Sequence, residues 1–267
     1  MSALEITVMG CGSSGGVPRI DSDWGDCDPA EPKNRRTRCS LLVRRRSDTG
    51  ETCVIVDTSP DLRAHCLSAQ VRHVDGVVIT HDHADQCHGI DDLRAFAIRR
   101  QRRTPVWMDD VAADSLTTRF GYIFEGQGGY PAICDLKRVA AGDAWRIDGD
   151  GGSIPVSTFE QDHGEVPSLG VRFGDVAYSP DVLRLPESAF EALRDLDLWI
   201  VDALRWTPHP THSHVQQTLD WIARVKPRRA VLTNLHIDLD YNALSAVLPE
   251  GVAAAYDGLK LESPLSH

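Results

Sequence analysis

Short β-branched apolar runs recur along this chain, and several of them end on an aspartate, a histidine or a glycine-rich turn. Residues 5–9, 39–44, 53–57, 76–80, 106–108, 154–159, 169–173, 176–178, 198–201 and 230–232 each read as a strand, because brief apolar stretches bounded by polar turn residues mark segments buried in a sheet. Polar turns at Ser47-Asp48-Thr49-Gly50 and Gly174-Asp175 predict hairpins between the flanking runs. Helical spacing appears between the strands. Asp57-Thr58-Ser59-Pro60-Asp61 can cap a helix over 62–69, Ile90, Leu93, Phe96 and Ala97 predict one over 90–100, and Leu219, Trp221, Ile222 and Val225 predict another. A helix-like stretch also runs through Leu116, ahead of a turn at 126–129.

Length and composition narrow the class. At 267 residues and 42% hydrophobic content, the chain can bury the core of one large α/β domain or two small ones. No repeat period and no low-complexity linker divides it, so one domain over 1–267 is expected. A net charge of -11 and a pI near 5.4 argue against nucleic acid as the main partner, because that binding neutralises phosphates with lysine and arginine. Seven cysteines without a C-x-x-C pair suit a reducing compartment. The start lacks the basic and apolar regions of a secretion signal, and no apolar run is long enough to cross a bilayer. The expected location is cytoplasmic, with no membrane partner, and a homodimer stays open.

Chemistry concentrates in one place. After the run at 76–80 come His81, His83, Asp85 and His88, a mixed nitrogen and oxygen set without paired thiolates. A strand end followed by H-x-H projects two imidazoles from one side of a turning chain, which suits zinc, manganese or iron in an open catalytic site. The strand at 5–9 runs into Gly10-Cys11-Gly12-Ser13-Ser14-Gly15-Gly16-Val17-Pro18. This reads as a tight turn lining the site, with Ser14 a candidate substrate contact, and the competing reading is a direct phosphate cradle. Arg94, early in the helix at 90–100, either contacts substrate phosphate or pairs with Asp91.

T-H-D-H-A-D-Q at Thr80–Gln86 resembles the H-x-H-x-D-H signature of the metallo-β-lactamase fold hydrolases, except that Gln86 stands where the family has a second-metal histidine. The glycine turn resembles the opening of the phosphodiesterase branch, including the cyclic phosphodiesterase of phosphonate breakdown. The resemblance implies a four-layer αββα sandwich with the site at one edge of its two sheets. It implies Asp57 as a supporting hydrogen-bonding group, His163 as the third histidine of the first metal site, and Asp181, in the Y-S-P-D context of residues 178–181, as the shared carboxylate. That relative also carries a cysteine-bound structural zinc near Cys27, which is not expected here.

Two divalent ions, zinc or manganese, are therefore expected. The first would be held by His81, His83, His163 and Asp181, and the second by Asp85, Asp181, His236 and Gln86. His88 is an alternative to Gln86, whose amide oxygen is a poorer ligand than imidazole. His236 enters because Asn234 occupies a position where relatives often have a histidine. Among His209, His212 and His214, the resemblance singles out His212 as the group that protonates the leaving oxygen, a task suited to a side chain with pKa near ~6.5. The expected activity is hydrolysis of small phosphodiesters, nucleotides or cyclic phosphates. The alternatives are a transfer-RNA 3′-processing endonuclease, a thioester or lactone hydrolase, and a nucleotide-binding relative without turnover.

Overall fold

The computed structural model describes residues 3–265. In chain order the first half contributes β1 (Ala3–Gly10), β2 (Ser40–Ser47), β3 (Gly50–Val56), α1 (Leu62–Ser68), β4 (Gly76–Val78), α2 (Ala84–Cys87), α3 (Arg94–Arg100), β5 (Thr104–Met108), α4 (Asp110–Glu125) and β6 (Cys134–Arg138). The second half contributes β7 (Ala144–Ile147), β8 (Ile154–His163), β9 (Val166–Phe173), β10 (Val176–Ser179), α5 (Glu187–Ala192), β11 (Leu198–Asp202), α6 (Val215–Val225), β12 (Arg229–Thr233), α7 (Tyr241–Val247) and β13 (Val252–Ala254). The last strand, β14 (Leu259–Pro264), returns to pair antiparallel with β1.

These strands form two seven-stranded mixed sheets, ordered β14-β1-β2-β3-β4-β5-β6 and β13-β12-β11-β10-β9-β8-β7. The period-two alternation of each strand divides its side chains between two cores. Leu41, Val43, Val54 and Val56 face Val171, Phe173, Leu198 and Ile200 between the sheets. Leu42, Cys53 and Ile55 face outward onto α1, α3 and α4, through Leu62, Ala97 and Leu116. Trp199, Val201 and Leu232 do the same for the second sheet, against Ala189, Val215 and Leu244 of α5, α6 and α7. Helices outside and sheets inside make the expected αββα sandwich. All seven cysteines are buried and unpaired.

Several elements depart from their sequence reading. The stretch 90–100 opens as a 3-10 turn at Ile90–Leu93 before α3. The strand expected at 154–159 continues to His163, because β9 pairs with it as far as His163 opposite Val166. The short elements β6, β7, α5, α7 and β13 were not marked by the apolar pattern, and β7 shows why, since three of its four residues keep some exposure.

Crossings between the sheets position the site. Leu169 N–H donates to Thr80 C=O at 2.9 Å, and Leu235 N–H donates to Cys11 C=O at 2.8 Å. The chain leaving β4 is thereby fixed against β9, and the glycine turn after β1 against the chain leaving β12. A Cβ at Gly10 would sit 2.1 Å from the Arg38 carbonyl oxygen, so only glycine permits that close approach.

Candidate metal centre

Five strand ends deliver the candidate residues to one edge of the sandwich. His81 and His83 follow β4, His163 closes β8, Asp181 follows β10, Asp202 closes β11, and Asn234 follows β12. The loop carrying His212 is tied down by Ser213, whose N–H donates to Val182 C=O at 2.6 Å and whose hydroxyl donates to Asp202 C=O at 2.7 Å. A cavity of about 410 Å³ opens over these ends, lined by His83, Asp85, His163, Asp181, His212 and Asn234 among others.

His81, His83 and His163 place one ring nitrogen each within 4.8 Å of the other two. Nε2 of His81 lies 3.1 Å from Nδ1 of His83, and Nε2 of His163 lies 3.2 Å from that same atom. Their neighbours settle which nitrogens carry protons. The Thr80 hydroxyl donates to Asp57 at 3.0 Å and lies 3.0 Å from His81 Nδ1, so it accepts from that nitrogen. Nδ1 of His163 donates to the Thr211 carbonyl at 2.7 Å. Both Nε2 atoms therefore present lone pairs to His83 Nδ1, which has at most one proton to share. Burial, reinforced by the neighbouring imidazoles, lowers the pKa of His81 well below the usual histidine value. Burial and His212 lower that of His163 to about 4. Three imidazoles converging on one point, with the Nε2 atoms of His81 and His163 unprotonated, form a donor set suited to a divalent cation.

Asp57 supports this arrangement from behind, accepting the Thr80 N–H at 2.8 Å as well as its hydroxyl. It holds a left-handed backbone at φ 62, and burial raises its pKa to about 8 against those hydrogen bonds.

Asp181 is buried beside the histidines, with Oδ2 3.3 Å from His81 Nε2. Oδ2 also accepts Gln86 Nε2 at 2.8 Å, and Oδ1 accepts Asn234 Nδ2 at 2.6 Å. Burial pushes its carboxyl well above the usual range, with the charges of Asp85, Asp202 and Asp57 adding to the effect against the pull of His212. His212 Nδ1 lies 2.9 Å from Asp202 Oδ2. Burial disfavours the imidazolium, but the Asp202 carboxylate, with Asp181 and Asp85, raises the His212 pKa to about 9.

Two expected contacts, those of His236 and His88, are not made, and Arg94 takes the second of its two readings. His236 lines the cavity, but its Nε2 faces the Arg19 guanidinium at 2.7 Å and its Nδ1 faces Asp238 at 3.1 Å, so the loop after β12 turns it away from Asp181. Arg94 pairs with Asp91 at 2.6 Å and lies near the Tyr122 and Tyr130 rings, away from the cavity lining. His88 is exposed, beside Arg119 Nη1 at 3.1 Å and against Phe120. Ser14 and Asp85 do line the cavity.

Sequence reading gave no role to Asp202, although its signal was present, since it ends an apolar run as Asp57 does. Thr211 gave no signal, because its backbone oxygen makes the contact. Arg19 and Arg205 also line the cavity.

Comparison with known proteins agrees with the resemblance in T-H-D-H-A-D-Q. Residues 52–237 match the family model described as a beta-lactamase superfamily domain. A diphosphatase from the PhnP family superposes with a TM-score of 0.87 at 34% identity, covering 98% of each chain. The zinc-bound PqqB of Methylobacterium extorquens superposes with a TM-score of 0.73 at 16% identity, covering 96% of this chain and 99% of that one, a likeness of fold alone. An octanoyltransferase of Porphyromonas gingivalis is 30% identical over 96% of this chain, which spans 51% of that protein's length.

Proposed function

This chain belongs to the beta-lactamase superfamily, and from that footing we propose that it is a metal-dependent hydrolase of small phosphodiesters, with nucleotides and cyclic phosphates as the substrate class. The carrying observation is the convergence of His81, His83 and His163 at the cavity that His83 and His163 line together with the Asp202-held His212. The similar PhnP-family diphosphatase supports phosphorus as the reacting centre and adds the diphosphate linkage as a second bond to test.

His81, His83, His163 and Asp181 would hold a divalent cation, zinc or manganese. Such an ion supplies Lewis acidity to a phosphoryl oxygen and makes water a stronger acid. The remaining work falls to the chain. Thr80 and Thr211 keep the imidazole lone pairs turned inward, so the donor set does not have to reorganise. His212, with Nδ1 engaged by Asp202, keeps Nε2 for the leaving oxygen and donates the proton that lets it depart. Asp85, which lines the same cavity and is partly exposed, takes the proton of the attacking water. Arg19 and Arg205 attract an anionic substrate that the overall charge would otherwise repel.

The test is hydrolysis of bis-(p-nitrophenyl) phosphate by the metal-stripped chain with added zinc or manganese, alongside His212→Ala. Metal-requiring turnover of this diester, together with a fall in the variant on diesters with poor alkoxide leaving groups, supports the proposal. A metal-loaded protein inactive on this diester, on nucleotide diesters and on diphosphates would overturn it.

A further inference from the structure

Apart from the histidines, the groups that meet Asp181 from Gln86 and Asn234 donate hydrogen bonds, where a second cation would require groups that donate lone pairs. We infer that this chain holds a single divalent cation, and that the side-chain amides of Gln86 and Asn234 replace a second one by clamping Asp181. The inference rests on the metal-dependent reading above and concerns the composition of that same centre.

Each oxygen of Asp181 already meets an amide N–H, Gln86 Nε2 at 2.8 Å on Oδ2 and Asn234 Nδ2 at 2.6 Å on Oδ1. Each N–H takes one of the two lone pairs on its oxygen, so the carboxylate has fewer left to share between two cations. The Gln86 amide presents its N–H to Asp181 Oδ2. It keeps the donating orientation even though this leaves Oε1 buried without a hydrogen-bond partner, a costly state for an acceptor. Asn234 follows β12 with φ 61, a left-handed conformation that asparagine tolerates better than most residues, and its Nδ2 also lies 3.3 Å from the Pro180 carbonyl. Both amides are thus positioned by the fold and directed at the same carboxylate.

The other groups that could complete a second site are engaged elsewhere. His236 lies between Arg19 and Asp238. Asp181, Asp202 and His212 do approach within 4.8 Å of one another, but His212 Nδ1 is hydrogen-bonded to Asp202 at 2.9 Å, and Asn234 Nδ2 lies against both Asp181 Oδ1 and His212 Nδ1. Protons close that triad. Asp85 is then the one carboxylate on the cavity lining that none of these bonds engages, and a single carboxylate does not hold a divalent ion against water. Gln86 and Asn234 are positioning residues in this arrangement, fixing the rotamer with which Asp181 meets the ion held by the histidines.

Calorimetric titration of the metal-stripped full chain with zinc or manganese, checked by elemental analysis, tests this directly. One ion per chain is expected at tenfold excess metal, rising to two in the Gln86→His/Asn234→His variant, since histidine also tolerates the left-handed conformation at position 234. Gln86→Ala should keep one ion but bind it about 10- to 100-fold more weakly, as loss of an outer partner does. Two ions in the wild-type chain would overturn the inference. No bound ion would overturn the metal-dependent reading instead, so the two failures are distinct. A histidine variant that folds but stays at one ion, together with unchanged affinity in Gln86→Ala, would overturn the role given to the amides. If the histidine variant does not fold, the wild-type stoichiometry and the Gln86→Ala affinity decide.

Discussion

Asp181 stands between two groups of side chains that meet it with opposite hydrogen-bonding character. On one side, His81 and His163 turn unprotonated nitrogens inward because Thr80 and Thr211 engage their other nitrogens. On the other, Gln86 and Asn234 turn N–H groups toward the carboxylate. The first arrangement gathers lone pairs, whereas the second directs N–H groups at the carboxylate at the cost of a buried, unpartnered Gln86 Oε1. A metal-binding site is therefore recognised less by how many polar groups it gathers than by whether their lone pairs or their protons face the centre.

The largest expected effect comes from removing the lone-pair side. His163→Ala should lose the bound ion and lower diester hydrolysis by on the order of 10³-fold, equivalent to several kcal/mol of transition-state stabilisation, as read by elemental analysis and steady-state rates. If the variant kept its ion and its rate, the two sides of Asp181 would not differ as described.

His212→Ala should retain the ion and lose about 10²-fold in rate on diesters with poor alkoxide leaving groups. On p-nitrophenyl esters, whose leaving group needs little protonation, the loss should be much smaller. An equal loss on both would remove His212 as the proton donor and leave it a structural partner of Asp202.

His65 provides a control outside the centre. It too is a buried imidazole, but its Nε2 donates to Thr37 Oγ1 at 2.7 Å while that hydroxyl donates to Asp257 at 2.6 Å, and its Nδ1 is buried without a partner. Burial lowers its pKa to about 4. The folded state thus binds this proton less readily than the unfolded chain, which titrates near ~6.5. Stability from this source is present above about pH 6.5 and is lost as pH falls toward 4, by up to about 3 kcal/mol. Urea unfolding at pH 7.5 and pH 5 should show this loss in the wild-type chain and a flatter dependence in His65→Gln. An equal slope in both would assign the acid sensitivity elsewhere.

The smallest effect is expected at His236. Because Arg19 and Asp238 already hold it, His236→Ala should leave metal stoichiometry unchanged. A drop in stoichiometry would return His236 to the centre and weaken the contrast between the two sides.

Much of this was legible from local pattern. The β-branched runs placed the main strands, because a strand buried in a sandwich must be apolar over a few residues whatever its partners. H-x-H after the strand at 76–80 marked the first half of the centre, since that spacing alone puts two imidazoles on one side of a turn. The five strand ends converge only in the folded chain, so the pairing of His212 with Asp202, ten residues apart in sequence, was not visible, and neither was the contact between His163 and the Thr211 backbone. Short edge elements such as β7 also escaped, because they bury too few side chains to leave a period.

What the sequence determined by itself was the α/β alternation, the family signature at Thr80–Gln86 and the identity of the histidines that follow strands. These depend on residue type and on spacing over a few positions. The tertiary structure alone decided which nitrogens carry protons, that His236, His88 and Arg94 turn away, and that Gln86 and Asn234 meet on one carboxylate. Several of those outcomes depend on hydrogen bonds between residues 48 to 217 positions apart, as between His163 and Thr211 or Arg19 and His236, and no local pattern encodes the direction in which a side-chain amide or imidazole finally points.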